Sequence, residues 1–325
     1  MQIVIPTVIG REEWLDACLG SIGPQLRFAS AGLKVSGNGT APLSREIAGR
    51  HHASFVSRNQ RVSAEEHAKL IIREAHAETH YLWLIADDDL MAPGALARVL
   101  QMIDRARQRH VPLSAVIGRA RYFSTTDAAD LGEPVPDEGQ WVVGRHTSLD
   151  KLGASTGGRA AIGAFIFQPK LVTVTDLKRY DGTSHGLFGG FWDGLSKLQV
   201  PNVEVVSETL VHLRSAEKEW DESRIRTLLG RRQYEKLLPL DISRHIVTSN
   251  RRLTRSNSLK FAATVLPEER DALAEYVETF ASFESGSRAI SKTPKLVARV
   301  LFPFLTKLKA CSDFLYVRIR RWRGF

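Results

Sequence analysis

"YLWLIADDDLMAPGAL" (81–96) decides how the rest of the chain is read. An uncharged, largely apolar run delivers three consecutive carboxylates, Asp87, Asp88 and Asp89, and then breaks at Pro93 and Gly94 into a helical repeat. Apolar residues in short continuous runs form buried strands. Three adjacent like charges at the end of such a strand repel one another, and burying them costs several kcal/mol unless positive charge joins them.

Working outward, "SAEEHAKLIIREAHAE" (63–78) opens with Ser63 and Glu66 at capping-box spacing and continues as an amphipathic helix. "APGALARVLQMIDRAR" (92–107) is a second helix, with Pro93 near its first turn. Towards the N-terminus, "QIVIPTV" (2–8) is a β-branched strand, "EEWLDACLGSI" (12–22) a helix with Glu12 and Glu13 at its start, "GLKVSGNGT" (32–40) a strand ending in a Gly-rich turn, and "ASFVSRN" (53–59) a further strand. Beyond residue 110, strands are expected over 112–123, 158–169 and 203–214 (one strand or a pair), with a Gly-rich loop leading into a helix over 182–198 and a polar loop over 124–140. Strands alternating with helices predict an α/β fold: a doubly wound, mostly parallel sheet with helices on both faces. Ligands in such sheets bind at the carboxyl ends of the strands, which is where Asp87 to Asp89 fall.

The chain has 325 residues, 43% hydrophobic and 25% charged, as an ordinary globular protein does. Two cysteines nearly the whole chain apart, Cys18 and Cys311, exclude a disulfide framework or a cysteine-based zinc site and fit a reducing cytosol. No leader is expected before the strand at residue 2, and no uncharged apolar stretch approaches the roughly 20 residues of a membrane-spanning helix. Residues 1–243 carry 29 basic and 29 acidic side chains, whereas 244–325 carry 16 and 7, so the whole net charge of +9 lies in the C-terminal part. The domain division expected is 1–215 for the α/β body and 216–325 for a basic helical module, with a linker over 282–294. In its tail, 295–325, Leu301, Leu305, Leu308, Ser312, Leu315, Ile319 and Trp322 recur at three- and four-residue steps, an almost apolar stripe among eight basic residues. That stripe suits a helix lying in an anionic membrane interface, or one packed on the protein body. Nothing resembles a nucleic-acid-binding motif.

Clustered carboxylates at a strand end suit Mg²⁺ or Mn²⁺ shared with a diphosphate, the ion acting as Lewis acid. A solvated acidic turn is the plainer reading of the same residues. The order "IVIPTVIGREEWLDACLGSI", "VSGNGT" and "YLWLIADDDLMAPGAL" resembles the family 2 inverting glycosyltransferases of GT-A fold, nearest to the bacterial polysaccharide-decorating, abequosyltransferase-like members. The resemblance covers about 1–110 well and 155–215 loosely.

It implies transfer from a nucleoside diphosphate sugar to a glycan or lipid-linked glycan, on the cytoplasmic face of the cell membrane. Carried over by position, Pro6, Thr7 and Arg11 line the nucleotide pocket, Asp89 holds the metal, Asp87 the ribose or metal, and Asp88 lies between them. Gly37 stands where the family usually has a base-contacting Asp, and Asn38 is the residue able to replace it. Asp193, beside Phe191 and Trp192, is the candidate base for the acceptor hydroxyl, or else a helix cap, with Asp181 and His185 as alternates. His212 is either a third metal ligand or a packed core histidine, and Arg214 beside it either meets phosphate or, by default, is a surface residue. Two other functions stay open: a nucleotidyltransferase, and a degenerate, non-catalytic scaffold or glycan-binding domain.

Overall fold

The computed structural model describes residues 1–27, 29–39, 42–123, 142–156, 162–183, 186–214, 234 and 237–245, to which every structural statement refers. Its strands are β1 (Gln2–Val8), β2 (Gly32–Asn38), β3 (Ser54–Ser57), β4 (Leu82–Leu84), β5 (Leu90–Met91), β6 (Ala115–Phe123), β7 (Gly144–His146), β8 (Phe165–Phe167) and β9 (Val203–Arg214). Its helices are α1 (Glu12–Leu26), α2 (Pro42–Arg50), α3 (Ala64–Glu78), α4 (Ala95–Gln108), α5 (Leu149–Thr156), α6 (Val174–Lys178) and α7 (Gly186–Ser196).

The strands form one mixed sheet in the order β3-β2-β1-β4-β8-β6-β9-β5, with β7 also paired to β9. β1, β2, β3, β4, β6 and β9 point the same way, and β5, β7 and β8 run against them. Alternate residues of one strand serve opposite faces, so Ile3 and Ile5 join one core with Leu15, Leu19, Ile47 and Val99, while Val4 joins another with Ile71, Ile72, Trp192 and Leu195. Helices α1, α2 and α4 cover the first face, and α3 and α7 the second. This is the doubly wound arrangement expected, and it explains why the strands read as continuous apolar runs: both faces are buried.

Trp83, Phe165 and Phe167 are core residues, as expected. Ser63 caps α3, its Oγ accepting the Glu66 N–H at 3.1 Å. Several elements escaped the sequence reading. Helix α2 buries only Ser44, Ile47 and Ala48, too few apolar residues to print a period. Strands β5 and β7 are two and three residues long, and α5 and α6 are short helices in stretches to which the sequence reading assigned no element. The strand expected over 158–169 contracts to β8, stopped by Pro169 in a 3₁₀ turn. Residues 203–214 form one strand, not a pair.

Residues 240–245 are helical and, with Tyr234, Leu238 and Ile242 buried, pack on the second face of the sheet. Among the described residues no helix is long and apolar enough to cross a membrane. The loop 124–140, His185, the linker 282–294 and the tail 295–325 lie outside the described residues.

Candidate active site

β4 hands the chain directly to the acidic turn. Ile85 still donates to Val4 O at 3.2 Å, and the turn closes with Asp89 N–H donating to Ala86 O at 3.1 Å. β5 then pairs antiparallel with the end of β9, setting Leu90 opposite His212. Helix α1 fixes this hairpin from below. Ser21 Oγ accepts the Met91 N–H at 2.9 Å, and Gln25 donates to Ala92 O and accepts from Leu96 N–H. Neither residue was singled out from sequence, because a helical Ser or Gln carries no sign of a partner 70 residues away.

Asp87, Asp88 and Asp89 are 2%, 3% and 4% exposed, so they are not a solvated turn. The positive partner that their burial demands is in part arginine. Arg11 donates to Asp87 Oδ1 at 2.8 Å and reaches Asp88 Oδ2 at 3.5 Å. Thr7 Oγ1 donates to Asp87 Oδ2 at 2.7 Å. Arg214 gives its backbone N–H to Asp89 Oδ1 at 3.1 Å and its Nε–H to Asp88 O at 3.2 Å. Burial raises the Asp87 carboxyl to about 6, against the lowering pull of Arg11 and of the Thr7 hydroxyl. The Cys18 thiol below the turn is pushed well up by burial and then by the three acids. Thr7, Arg11, Asp87, Asp88, Asp89 and Arg214 thus meet at one place on the carboxyl edge, and Pro6 sits one residue before Thr7 in β1, level with Ser36.

His212 is 5% exposed, its pKa lowered by burial and then by Arg121. Its Nδ1 is buried with no hydrogen-bond partner. An imidazole nitrogen buried without a partner is available to a ligand. Among the described residues no hydrogen bond or ion pair joins His212 to the aspartates, and the link between them is the pairing of Leu90 with His212. Among the described residues no three His, Cys, Asp or Glu side chains already converge in a metal-holding group. Mg²⁺ sites commonly use one or two carboxylates and take their remaining ligands from substrate phosphates and water.

Other expected residues sit differently. Asn38 is held at both ends of its amide: its Nδ2 donates to Val62 O at 2.8 Å and its Oδ1 accepts the Val62 N–H at 2.9 Å. That amide pins the loop before α3 to the end of β2, with one N–H of Nδ2 and one lone pair of Oδ1 remaining. Gly37 faces Phe55, whose ring would stand 2.9 Å from a Cβ there, so a side chain at 37 requires that ring to move.

Asp193 is 4% exposed, two helical turns along α7. Tyr180 donates to its Oδ1 at 2.9 Å and Arg179 to its Oδ2 at 3.0 Å. Burial, then the Asp193 carboxylate, push the Tyr180 phenol far up. Among the described residues no hydrogen bond or ion pair joins Asp193 to the acidic turn. Asp181 pairs with Lys69 at 2.6 Å. A cavity of about 1270 Å³ lies at the opposite, amino edge of the sheet, lined by Met1, Gln25, Tyr81, Leu100, Ile103 and Gln168 among others. It shares Gln25 with the supports of the acidic turn, and none of Asp87, Asp88, Asp89, Arg11 or His212 lines it.

No protein-family profile matches the chain. No curated protein matches it. Among solved structures it resembles S. aureus TarS 1–349, with a TM-score of 0.61 and 13% identity over 100% of this chain and 91% of that one. A second structure of S. aureus TarS aligns at a TM-score of 0.59 and 12% identity, covering 94% of this chain and 53% of that one. A looser likeness, TM-score 0.46 and 12% identity over 96% and 87% of the two chains, is to the mannosyltransferase PcManGT from Pyrobaculum calidifontis in complex with GDP-Man and Mn²⁺. At such identities what is shared is architecture, and the architecture of this chain is the α/β, GT-A-type fold.

Proposed function

We propose that the protein is a glycosyltransferase that uses a divalent metal and a nucleoside diphosphate sugar. The observation that carries this reading is the buried Asp87–Asp89 turn at the carboxyl edge of the sheet, beside a neutral histidine whose buried nitrogen lacks a partner. A structural acidic turn has no use for such a nitrogen, whereas a site completed by a metal diphosphate does. Asp89 and His212 would hold Mn²⁺ or Mg²⁺, which supplies Lewis-acid stabilisation of the departing diphosphate. Asp87, bonded to Thr7 and Arg11, orders the nucleotide side of the site together with Pro6.

The finer parts of the proposal are inversion at the anomeric carbon, a cell-surface glycan or lipid-linked glycan as acceptor, and docking of the basic tail 295–325 on an anionic membrane surface at the cytoplasmic face. Asp193 is the proposed base. Its burial beside Phe191 and Trp192 supports that role, and Arg179, half exposed, is the donor it would exchange for the acceptor hydroxyl. The closed hydrogen bonding of Asp193 and the hold of Val62 on Asn38 favour a second reading, a transferase-like domain that binds nucleotide without turning over.

Thermal unfolding with UDP, GDP, CDP and dTDP, each with and without Mn²⁺, tests the proposal. A ligand at about 100 times its Kd adds roughly 2.7 kcal/mol. One nucleotide stabilising only with metal is the expected result, and no stabilisation by any of them removes the reading. Release of free sugar from the matching nucleotide sugar then separates the enzyme from the silent binder.

A further inference from the structure

The cavity of about 1270 Å³ follows α4 from Gly94, just before the helix, to Gln108, its last residue. A helix of 14 residues is about 21 Å long, so the cavity is a trough rather than a hole. Its charged lining is His80, Arg105, Arg107 and Lys170, with Asp104 as the single acid. Among the described residues none of these five side chains forms an ion pair or a hydrogen bond. Basic residues in the last turn of a helix complement its dipole, which accounts for Arg105 and Arg107. It does not account for Lys170, which comes to the trough from the 3₁₀ turn after β8. Residues 1–243 carry equal numbers of acids and bases, so these cations are not the overflow of a basic body. Charge is instead sorted, with acids at one edge of the sheet and cations in the trough at the other.

The rest of the lining narrows the ligand. Leu100 and Ile103 put partly buried apolar surface between the charges. Gln101 and Gln108 add side-chain amides that bond to no described residue. A primary amide both donates and accepts, as sugar hydroxyls do. Among the described residues Tyr81 is the one aromatic in the lining, and it is buried with its hydroxyl donating to Leu113 O at 2.8 Å. The trough therefore offers no ring face on which a nucleobase would stack. Its volume also exceeds the roughly 300–1,000 Å³ of a small-molecule pocket.

Resting on the reading of the protein as a transferase to glycans, we propose that this trough is an exosite for an acidic glycan, a run of several carboxylated sugars. Arg105, Arg107 and Lys170 pair with the carboxylates. Gln101 and Gln108 meet the hydroxyls, and the ring C–H faces lie on Leu100 and Ile103. Holding the body of an acceptor chain raises the effective concentration of its end at the catalytic edge.

Calorimetry on the full chain, without nucleotide or metal, tests this by titrating oligogalacturonate, dextran of equal length and poly-glutamate. Oligogalacturonate alone is expected to bind, and to slow hydrogen exchange along α4. An exposed ion pair contributes up to about five-fold in affinity. Arg105→Gln and Lys170→Gln should each weaken binding several-fold, and the two losses should multiply because the residues lie on separate elements. Both side chains are exposed, so neither variant threatens the fold. Arg320→Gln removes the same charge from the basic tail and should leave the affinity unchanged. No binding, equal binding of dextran or poly-glutamate, no loss in either trough variant, or an equal loss from Arg320→Gln overturns the exosite. Neither donor nor turnover enters the measurement, which separates the two readings. Nucleotide stabilisation without glycan binding removes the exosite alone, and glycan binding without nucleotide stabilisation removes the donor reading alone.

Discussion

Two sites in this molecule bury aspartates, and they are finished to different degrees. Around Asp193 each carboxylate oxygen has its own donor, Tyr180 or Arg179, and the site is closed. Beyond Asp87–Asp89, at the end of β9, a histidine nitrogen is buried without a partner, and Arg214 bonds the turn through its backbone N–H and Nε–H. The histidines repeat the contrast. His67 is 4% exposed and bonded to Ser36 Oγ at 2.8 Å, whereas Nδ1 of His212 has nothing. Burial of polar groups is common to both regions, so burial does not mark function. An unsatisfied nitrogen does not separate them by itself either, since Trp192 Nε1 beside Asp193 also lacks a partner. What differs is that Asp193 has a donor on each oxygen, whereas a buried group left unbonded costs stability that a ligand can restore.

The strongest way to break this contrast is Asp89→Ala. At the unfinished site it should lower metal-dependent turnover at least ~1000-fold, comparable to losing a principal electrostatic group, and abolish Mn²⁺-dependent nucleotide stabilisation. Steady-state kinetics and thermal unfolding check both, and retained turnover would return the turn to a structural role.

His67 tests the finished side through pH. Burial, then Arg58, lower its pKa to about 4 in the folded protein, from an ordinary value near 6.5. The unfolded chain therefore binds more protons between those values, so stability is intact above about pH 6.5 and falls as pH drops towards 4. The loss should approach about 3 kcal/mol. Urea unfolding across that range, on wild type and on His67→Gln, measures it. The Gln variant should have lost that part of the slope.

Asp193→Asn decides whether a closed site can still be catalytic. If Asp193 is the base, kcat falls roughly 100-fold or more with a small change in Tm. A lowered Tm at unchanged kcat would make it a clamp between α7 and the Arg179–Tyr180 turn. The smallest effect belongs to a purely structural bond: Ser63→Ala should cost about 1 kcal/mol by uncapping α3, read from denaturant midpoints, without altering nucleotide affinity.

Much of this was legible in the chain itself. Alternating apolar strands and amphipathic helices determined the doubly wound sheet, because burial on both faces leaves only one composition for its strands. The chain also placed Thr7, Arg11 and the three aspartates at carboxyl ends of strands, since parallel βα units put every such end on one edge. What tertiary structure alone decided is who meets whom on that edge. Arg214 reads as an exposed strand end until β9 pairs with β5 and lays it against Asp88, 126 residues away. Asn38 reads as a base contact, and only the fold shows Val62 holding both ends of its amide. Periodicity records which face a residue occupies. It carries no record of long-range partners, and hydrogen bonds and charge pairs depend on those partners' positions to within a few tenths of an ångström.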